Sequence, residues 1–220
     1  MYAEFTDSLD LEVNRALQAL AAALRAQGLP WVRDVVPSLC GIAIHVDADH
    51  PQLPAPLLER CGELLAEAFK SASKFEDSAR TVDVPVCYDS VFALDLADVA
   101  AHAKLAPGRI QELHTSGKHR VLMVGFSPGQ PYIGGLDPKL AVPRRASPRT
   151  RVPAGSVAIA NAQTAVYSFE TPGGWNVIGR TPLAVFDPAR EAPSLFAPGD
   201  RVRFVAIPLA EYERLGGRPA

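Results

Sequence analysis

Residues 125–180 concentrate glycine, proline, arginine and aromatic side chains more densely than any other part of this 220-residue chain. The segment reads GFSPGQPYIGGL, then PRRASPR, VPAGSVAIAN and TPGGWNVIGRTP. Proline fixes φ and glycine permits φ above zero, so such a run specifies particular loop shapes and excludes a long helix. Short apolar stretches lie around it at 119–126, 156–161, 165–169, 176–178, 184–186 and 201–207. Short strands separated by Gly/Pro turns predict a closed or nearly closed β-barrel.

The chain before this region has a different grammar. Across residues 8–27, Leu9, Val13, Leu17, Leu20 and Leu24 recur at helical spacing, with Asp7 or Ser8 placed to cap the start and Gly28 and Pro30 to stop it. Residues 31–36 and 39–47 read as strands. Residues 56–70 form a second helical stripe through Leu57, Leu58, Cys61, Leu64, Leu65, Ala68 and Phe69. The order α, β, β, α is most of a β-α-β-β-α-β split motif, and residues 1–5 are short for its opening strand. The polar stretch 71–80 marks a boundary, giving domains at 1–78 and 79–220 and an α+β class. A strand at 82–88 follows, held to a sheet edge or an irregular position by Pro85, then helical pieces at 94–104 and 107–114.

A formal charge of −2 argues against a nucleic-acid or anionic-membrane binder, which needs a clustered basic surface. No apolar run reaches the roughly 18 residues of a membrane helix, and the N-terminus lacks a secretory pattern, so the expected compartment is the cytoplasm. Cys40, Cys61 and Cys87 form no C-x-x-C pair and read as reduced thiols.

Several groupings could carry chemistry. Gly125-Phe126-Ser127-Pro128-Gly129 matches the G-x-S-x-G elbow of serine hydrolases, yet Pro128 has no N–H to offer an oxyanion. All five histidines also precede Ser127, against the chain order of that fold, so the elbow reading is set aside. His45, Asp47, Asp49 and His50 read as a strand running into a polar turn, and no metal site is expected. Arg144, Arg145, Arg149 and Arg151 fall within eight residues stiffened by Pro143, Pro148 and Pro153. Guanidinium groups match carboxylate or phosphate oxygens in a fork, so this loop is a candidate for an acidic substrate, a phosphate or an acidic partner surface. In Pro172-Gly173-Gly174-Trp175 the glycines permit close backbone approach to a ligand beside an indole wall, or a hairpin corner packed by Trp175. No G-x-x-x-x-G-K-[ST] loop is present, since Gly117-Lys118 is followed by His119; neither is a biotin-carrier Met-Lys pair. Any ATP or biotin chemistry must involve another chain.

With these residues in view, the chain resembles the family variously labelled 5-oxoprolinase B subunit, allophanate hydrolase subunit 1, carboxyltransferase subdomain C/D and sporulation-kinase inhibitor. The likeness runs from VPVCY at 84–88 through the LHT containing His114, and is densest at GFSPG, YIGGL, PRRASPR, VPAGSVAIA, Gln163-Thr164, TPGGWNVIGRTP and PGDRVRF. It implies a ferredoxin-like N-terminal domain followed by a cyclophilin-like β-barrel. It further implies a non-autonomous component of an ATP-dependent 5-oxoprolinase-type complex, converting 5-oxoproline, ATP and water to glutamate beside companions of the C and A types. ATP would be bound in the complex and not by a motif of this chain. The alternatives within the family are a histidine-kinase inhibitor and the carboxyltransferase half of a biotin-dependent urea carboxylase or allophanate system.

Carried onto this sequence, the resemblance makes His114 the candidate general acid/base, with a buried structural histidine as the competing reading. It places substrate- or partner-binding at Gly125, Phe126, Pro128, Gly129, Tyr132, Arg144, Arg149, Gly155, Gln163, Pro172, Gly173, Gly174, Trp175 and Arg180, on a wall of a pocket shared with another polypeptide. Three departures stand out. The opening strand at residues 1–5 is shorter than the family's, either truncated or preceded by a displaced start codon. Residues 89–93 replace a glycine-rich stretch, and Gln130 and His119 stand where aromatic residues are usual.

Overall fold

The computed structural model describes residues 1–72 and 79–217, with side chains of 68–72 left aside. Contacts divide the chain into two units, Met1–Ala79 and Arg80–Ala220. The polar stretch 71–80 lies mostly outside the described residues, as do the side chains of Ala68 and Phe69 in the second helical stripe.

In the first unit the order is β1 (Tyr2–Glu4), α1 (Leu11–Ala26), β2 (Val32–Pro37), β3 (Gly41–Val46) and α2 (Leu57–Ala72). Asp10, not Asp7 or Ser8, caps α1: its Oδ1 accepts from the backbone N–H of Glu12 at 2.8 Å and of Val13 at 3.0 Å. The helical stripe then buries Leu17, Leu20 and Leu24 against Trp31, Val35, Ile42, Ile44, Cys61 and Leu64. Buried Asn14 interrupts this stripe to donate from Nδ2 to the carbonyls of Ser38 and Leu39, tying α1 to the β2–β3 turn. The sheet order is β1-β3-β2, antiparallel throughout. The opening strand is formed by three residues, with the Met1 ammonium donating to the Ile44 carbonyl at 2.8 Å. No fourth strand joins this sheet among the described residues.

The second unit continues with β4 (Thr81–Val86), α3 (Leu96–Ala103), α4 (Pro107–Thr115), β5 (His119–Val124), β6 (Pro131–Gly134), β7 (Arg149–Val152), β8 (Ser156–Ala160), β9 (Gln163–Val166), β10 (Thr171–Gly173), β11 (Asn176–Arg180), β12 (Arg201–Ala206) and α5 (Leu209–Arg214). Seven of these strands form one sheet in the order β11-β8-β9-β6-β5-β12-β4. Strand β4 lies at the end of this order, where Pro85 costs no ladder bond on its open side. The two ends meet through one antiparallel bridge, Cys87 to Arg180, whose two N–H···O bonds are both 2.9 Å, so the sheet is nearly a closed barrel.

Alternation sorts side chains to the two faces of this sheet. Val157, Ile159, Val166, Ile133 and Val121 pack on one face with Val99, Ile110 and Leu113 of the helices. Ala158, Ala160, Ala165 and Val177 pack on the other with Tyr167, Trp175, Val152 and Tyr132. A two-stranded ladder of β7 and β10 lies beside this second cluster and contributes Val152 to it. Residues 184–186 do not form the strand the sequence predicts; Phe186 makes a single bridge to Ser194, in a stretch where Pro182, Pro188 and Pro193 withhold donors.

Candidate functional site

The proline-bounded loop between Val142 and Arg149 is pinned along its length. Val142 bridges to Asn161, and the Pro143 carbonyl accepts from Asn176 Nδ2 at 2.9 Å. The Arg145 N–H donates to the Gly174 carbonyl at 2.8 Å. Arg149 forks onto Asp95, with Nη1 to Oδ2 at 2.7 Å and Nη2 to Oδ1 at 2.8 Å, and Arg145 Nη1 donates to the same Oδ1. Asp95 is 1% exposed and its Oδ2 also accepts from the Val177 N–H at 2.7 Å. The guanidinium of Arg149, predicted to meet a ligand, is therefore already bound to an internal carboxylate.

Arg144 sits between these anchors and points elsewhere. Its exposed guanidinium lies 5.9 Å from the ring centroid of Trp175, which is 7% exposed and packs with Val152, Tyr167 and Val177. Tyr132 meets Trp175 edge to face at 5.7 Å. Behind them Gly173 passes so close to the Tyr167 hydroxyl that no Cβ would fit. Burial pushes both phenols above their ordinary values, with Arg144 opposing the shift, so both hydroxyls remain protonated donors at neutral pH. Among the described residues no carboxylate pairs with Arg144. A cation spread on an indole, flanked by a phenol and lacking an internal anion, is equipped to receive a carboxylate or phosphate oxygen.

His114 is not part of this arrangement, which corrects its assignment as general acid/base. It is 0% exposed, with Nδ1 2.7 Å from the Tyr88 hydroxyl and Nε2 3.0 Å from Thr164 Oγ1. Thr164 faces the helix-covered side of the sheet, whereas its neighbour Ala165 packs with Trp175 on the opposite side. Burial, with His119 adding, holds the His114 imidazole well below its ordinary pKa. Ile110, Leu113 and His114 share the buried face of α4, which agrees with the structural reading of this histidine.

The remaining candidates separate into groups. Gly125, Phe126, Pro128 and Gly129 form a tight loop closed by the Gly125 N–H to the Gln130 carbonyl at 3.0 Å, with Gly129 packed under Phe186. Within it Ser127 Oγ lies 2.7 Å from Ser168 Oγ, a structural contact with no histidine. Phe126 is 71% exposed and has φ +70, a conformation that bulky side chains rarely adopt. Gln130, where an aromatic would be usual, is buried and accepts from Ser127 Oγ. Gly155 and Arg180 belong to the barrel seam: Arg180 Nε donates to the Ala154 carbonyl at 3.0 Å and its guanidinium lies over Phe92. Gln163 shares the Ala165 face, and its Nε2 is buried without a hydrogen-bond partner. Pro172 is exposed on β10, and Gly174 has ordinary space above it.

Elsewhere, Asp47 accepts from the Asp49 N–H and His50 from the Gln52 N–H, as a turn requires, and the described residues hold no metal-binding cluster. All three cysteines are free thiols. No helix among the described residues is long and apolar enough to cross a membrane.

The model of the carboxyltransferase domain, subdomain C and D, matches residues 1–196. The chain belongs to this family. The 5-oxoprolinase B subunit of Bacillus subtilis (strain 168) is 37% identical over 218 residues, covering 96% of this chain and 91% of that protein. The 5-oxoprolinase B subunit of Escherichia coli O157:H7 is 42% identical over 183 residues, 83% of this chain and 82% of the relative. The crystal structure of TTHA0988 superposes with a TM-score of 0.80 at 37% identity over 94% of this chain. This family member spans only 39% of the length of that solved chain.

Proposed function

We propose that this chain is the B-type component of an ATP-dependent 5-oxoprolinase complex, inactive alone, that supplies one wall of a shared site. The observation that carries the reading is the near full-length match to two proteins that bear the name of the 5-oxoprolinase B subunit. Arg144 on Trp175 is the part of that wall that receives the substrate's carboxylate or a phosphate oxygen, with Tyr132, Gly173, Gly174 and the unpartnered Nε2 of Gln163 shaping it. The strained loop at 125–129, with Phe126 presented to solvent, is the surface offered to a companion of the C or A type. ATP belongs to the assembled complex, because this chain has no phosphate loop of its own. The working architecture is a ferredoxin-like domain at 1–78, supported by the β1-β3-β2 order, and a cyclophilin-like barrel at 79–220 in a cytoplasmic assembly.

Opening an unstrained lactam in water needs coupling to ATP, so the division of labour is testable directly. Purified chain with its C- and A-type companions is expected to release glutamate from 5-oxoproline only when ATP is added, and the chain alone to release none. Turnover by the chain alone, or none by the complete set, would sink the proposal.

A further inference from the structure

The geometry points to Asp95 as a positioning residue that sets Arg144 over Trp175, and so governs how tightly the site holds an anionic substrate without taking part in its chemistry. The inference rests on Arg144 being the ligand-facing cation, as proposed above. Its grounds are separate: one fully buried carboxylate holds both neighbours of Arg144 that could otherwise compete for a ligand.

Asp95 immediately precedes α3, where an aspartate would ordinarily cap the helix, yet its side chain makes no cap bond. Instead it directs all its acceptor capacity to residues distant in sequence: two arginines of the proline-bounded loop and the Val177 N–H on β11. The Asp95 N–H in turn donates to the Val177 carbonyl at 2.8 Å, so the carboxylate is carried on backbone that is itself paired. A planar fork onto a buried carboxylate fixes direction as well as distance. The loop is thereby held at Arg145 and Arg149 by side chains, and at Pro143 and Arg145 by bonds from Asn176 and to Gly174. The backbone that carries Arg144 is thus fixed on both sides, which sets the side chain beside the indole.

The charge balance favours the same reading. Asp95 neutralises one of the two guanidinium groups it binds, so Arg144, Arg145 and Arg149 together keep a surplus of two positive charges beside one tryptophan. A ligand carrying one or more carboxylate or phosphate groups is the complement to that surplus. Without Asp95, the guanidinium groups of Arg145 and Arg149 would be released beside Arg144 and would hold that anion in competing, unaligned geometries.

The test is steady-state kinetics of the reconstituted complex with 5-oxoproline varied at saturating ATP, for wild type, Arg144→Gln, Asp95→Asn and Arg149→Met. A role that is merely structural lowers the fraction of folded enzyme, which reduces apparent kcat and leaves KM unchanged. A positioning role raises KM in the molecules that do fold. Arg144→Gln is expected to raise KM roughly ten- to hundred-fold, the worth of one charge-assisted hydrogen bond. Asp95→Asn is expected to raise it by about tenfold with kcat largely retained. Arg149→Met keeps the Asp95–Arg145 pair, so it decides the matter if Asp95→Asn does not fold, with a smaller rise in KM expected. Wild-type KM in Arg144→Gln overturns the proposed site itself. A raised KM in Arg144→Gln beside wild-type KM in the folded Asp95 and Arg149 variants overturns only the positioning role.

Discussion

Stability of the barrel unit is expected to fall steeply as pH drops below about 6.5, the ordinary histidine value, well before the carboxylates titrate. His114 is enclosed between Tyr88, Thr164, Phe204 and His119, and His119 Nε2 donates to the His114 carbonyl 2.6 Å away. Burial depresses both imidazoles, so the folded protein keeps them neutral where the unfolded chain protonates them. The unfolded state then binds more protons, and stability rises with pH. The contribution is complete above the unfolded value and is lost as pH falls below it. Each histidine gives a slope of about 1.4 kcal/mol per pH unit until its folded value is reached, so the pair gives at most roughly 3 kcal/mol per unit. Denaturant unfolding followed by Trp175 fluorescence in a Trp31→Phe background, at pH 7.5, 6.5 and 5.5, measures it. His119→Tyr removes one titrating group and restores the aromatic residue the family resemblance leads one to expect; its slope should be about half. The relevant readout is the slope, which does not depend on whether tyrosine packs as well. A flat profile from pH 7.5 to 5.5 would contradict the burial of both rings.

The elements visible in the sequence are those whose burial follows a period. The leucines of α1 and the alternating Ile42, Ile44 and Val46 of β3 face the same core, so pattern and structure coincide. Strands β7 and β10 read RTRV and TPG; only Val152 packs in the apolar cluster, and no alternation betrays them. The arginine-rich loop was legible as a cluster, but not its division of labour, because Arg144 and Arg145 are adjacent and differ only in which neighbour each meets. That neighbour, Asp95, lies 50 and 54 residues away from the arginines it binds, beyond the reach of any local period. His114 is ambiguous in another way. Its motif and its titratable ring suit either a catalytic or a buried role, and only the packing of α4 beside Ile110 and Leu113 separates the two.

Gly155→Ala is expected to destabilise the chain by about 3 kcal/mol or more, although Gly155 was a candidate for ligand contact. Its φ of +78 is left-handed, which alone costs an alanine about 1–2 kcal/mol. A Cβ there would also lie 2.5 Å from the Thr181 carbonyl oxygen, which is backbone and cannot rotate aside. Neither partner is free to retreat, since the Gly155 N–H donates to the Tyr167 carbonyl at 2.7 Å and the Thr181 N–H to the Gly155 carbonyl at 2.9 Å. Those bonds lie next to the Cys87–Arg180 bridge that brings the ends of the sheet together, so relief of the clash would open the barrel where it is held by one pair. Gly174→Ala is the comparison: its nearest neighbour is Pro148 at 3.6 Å, an ordinary contact, and its φ is not left-handed. That variant should stay within about 1 kcal/mol of wild type by denaturant unfolding. If instead Gly155→Ala matched wild type, the close approach of Thr181 would not be what demands glycine there, and a ligand-facing role for Gly155 would regain its standing.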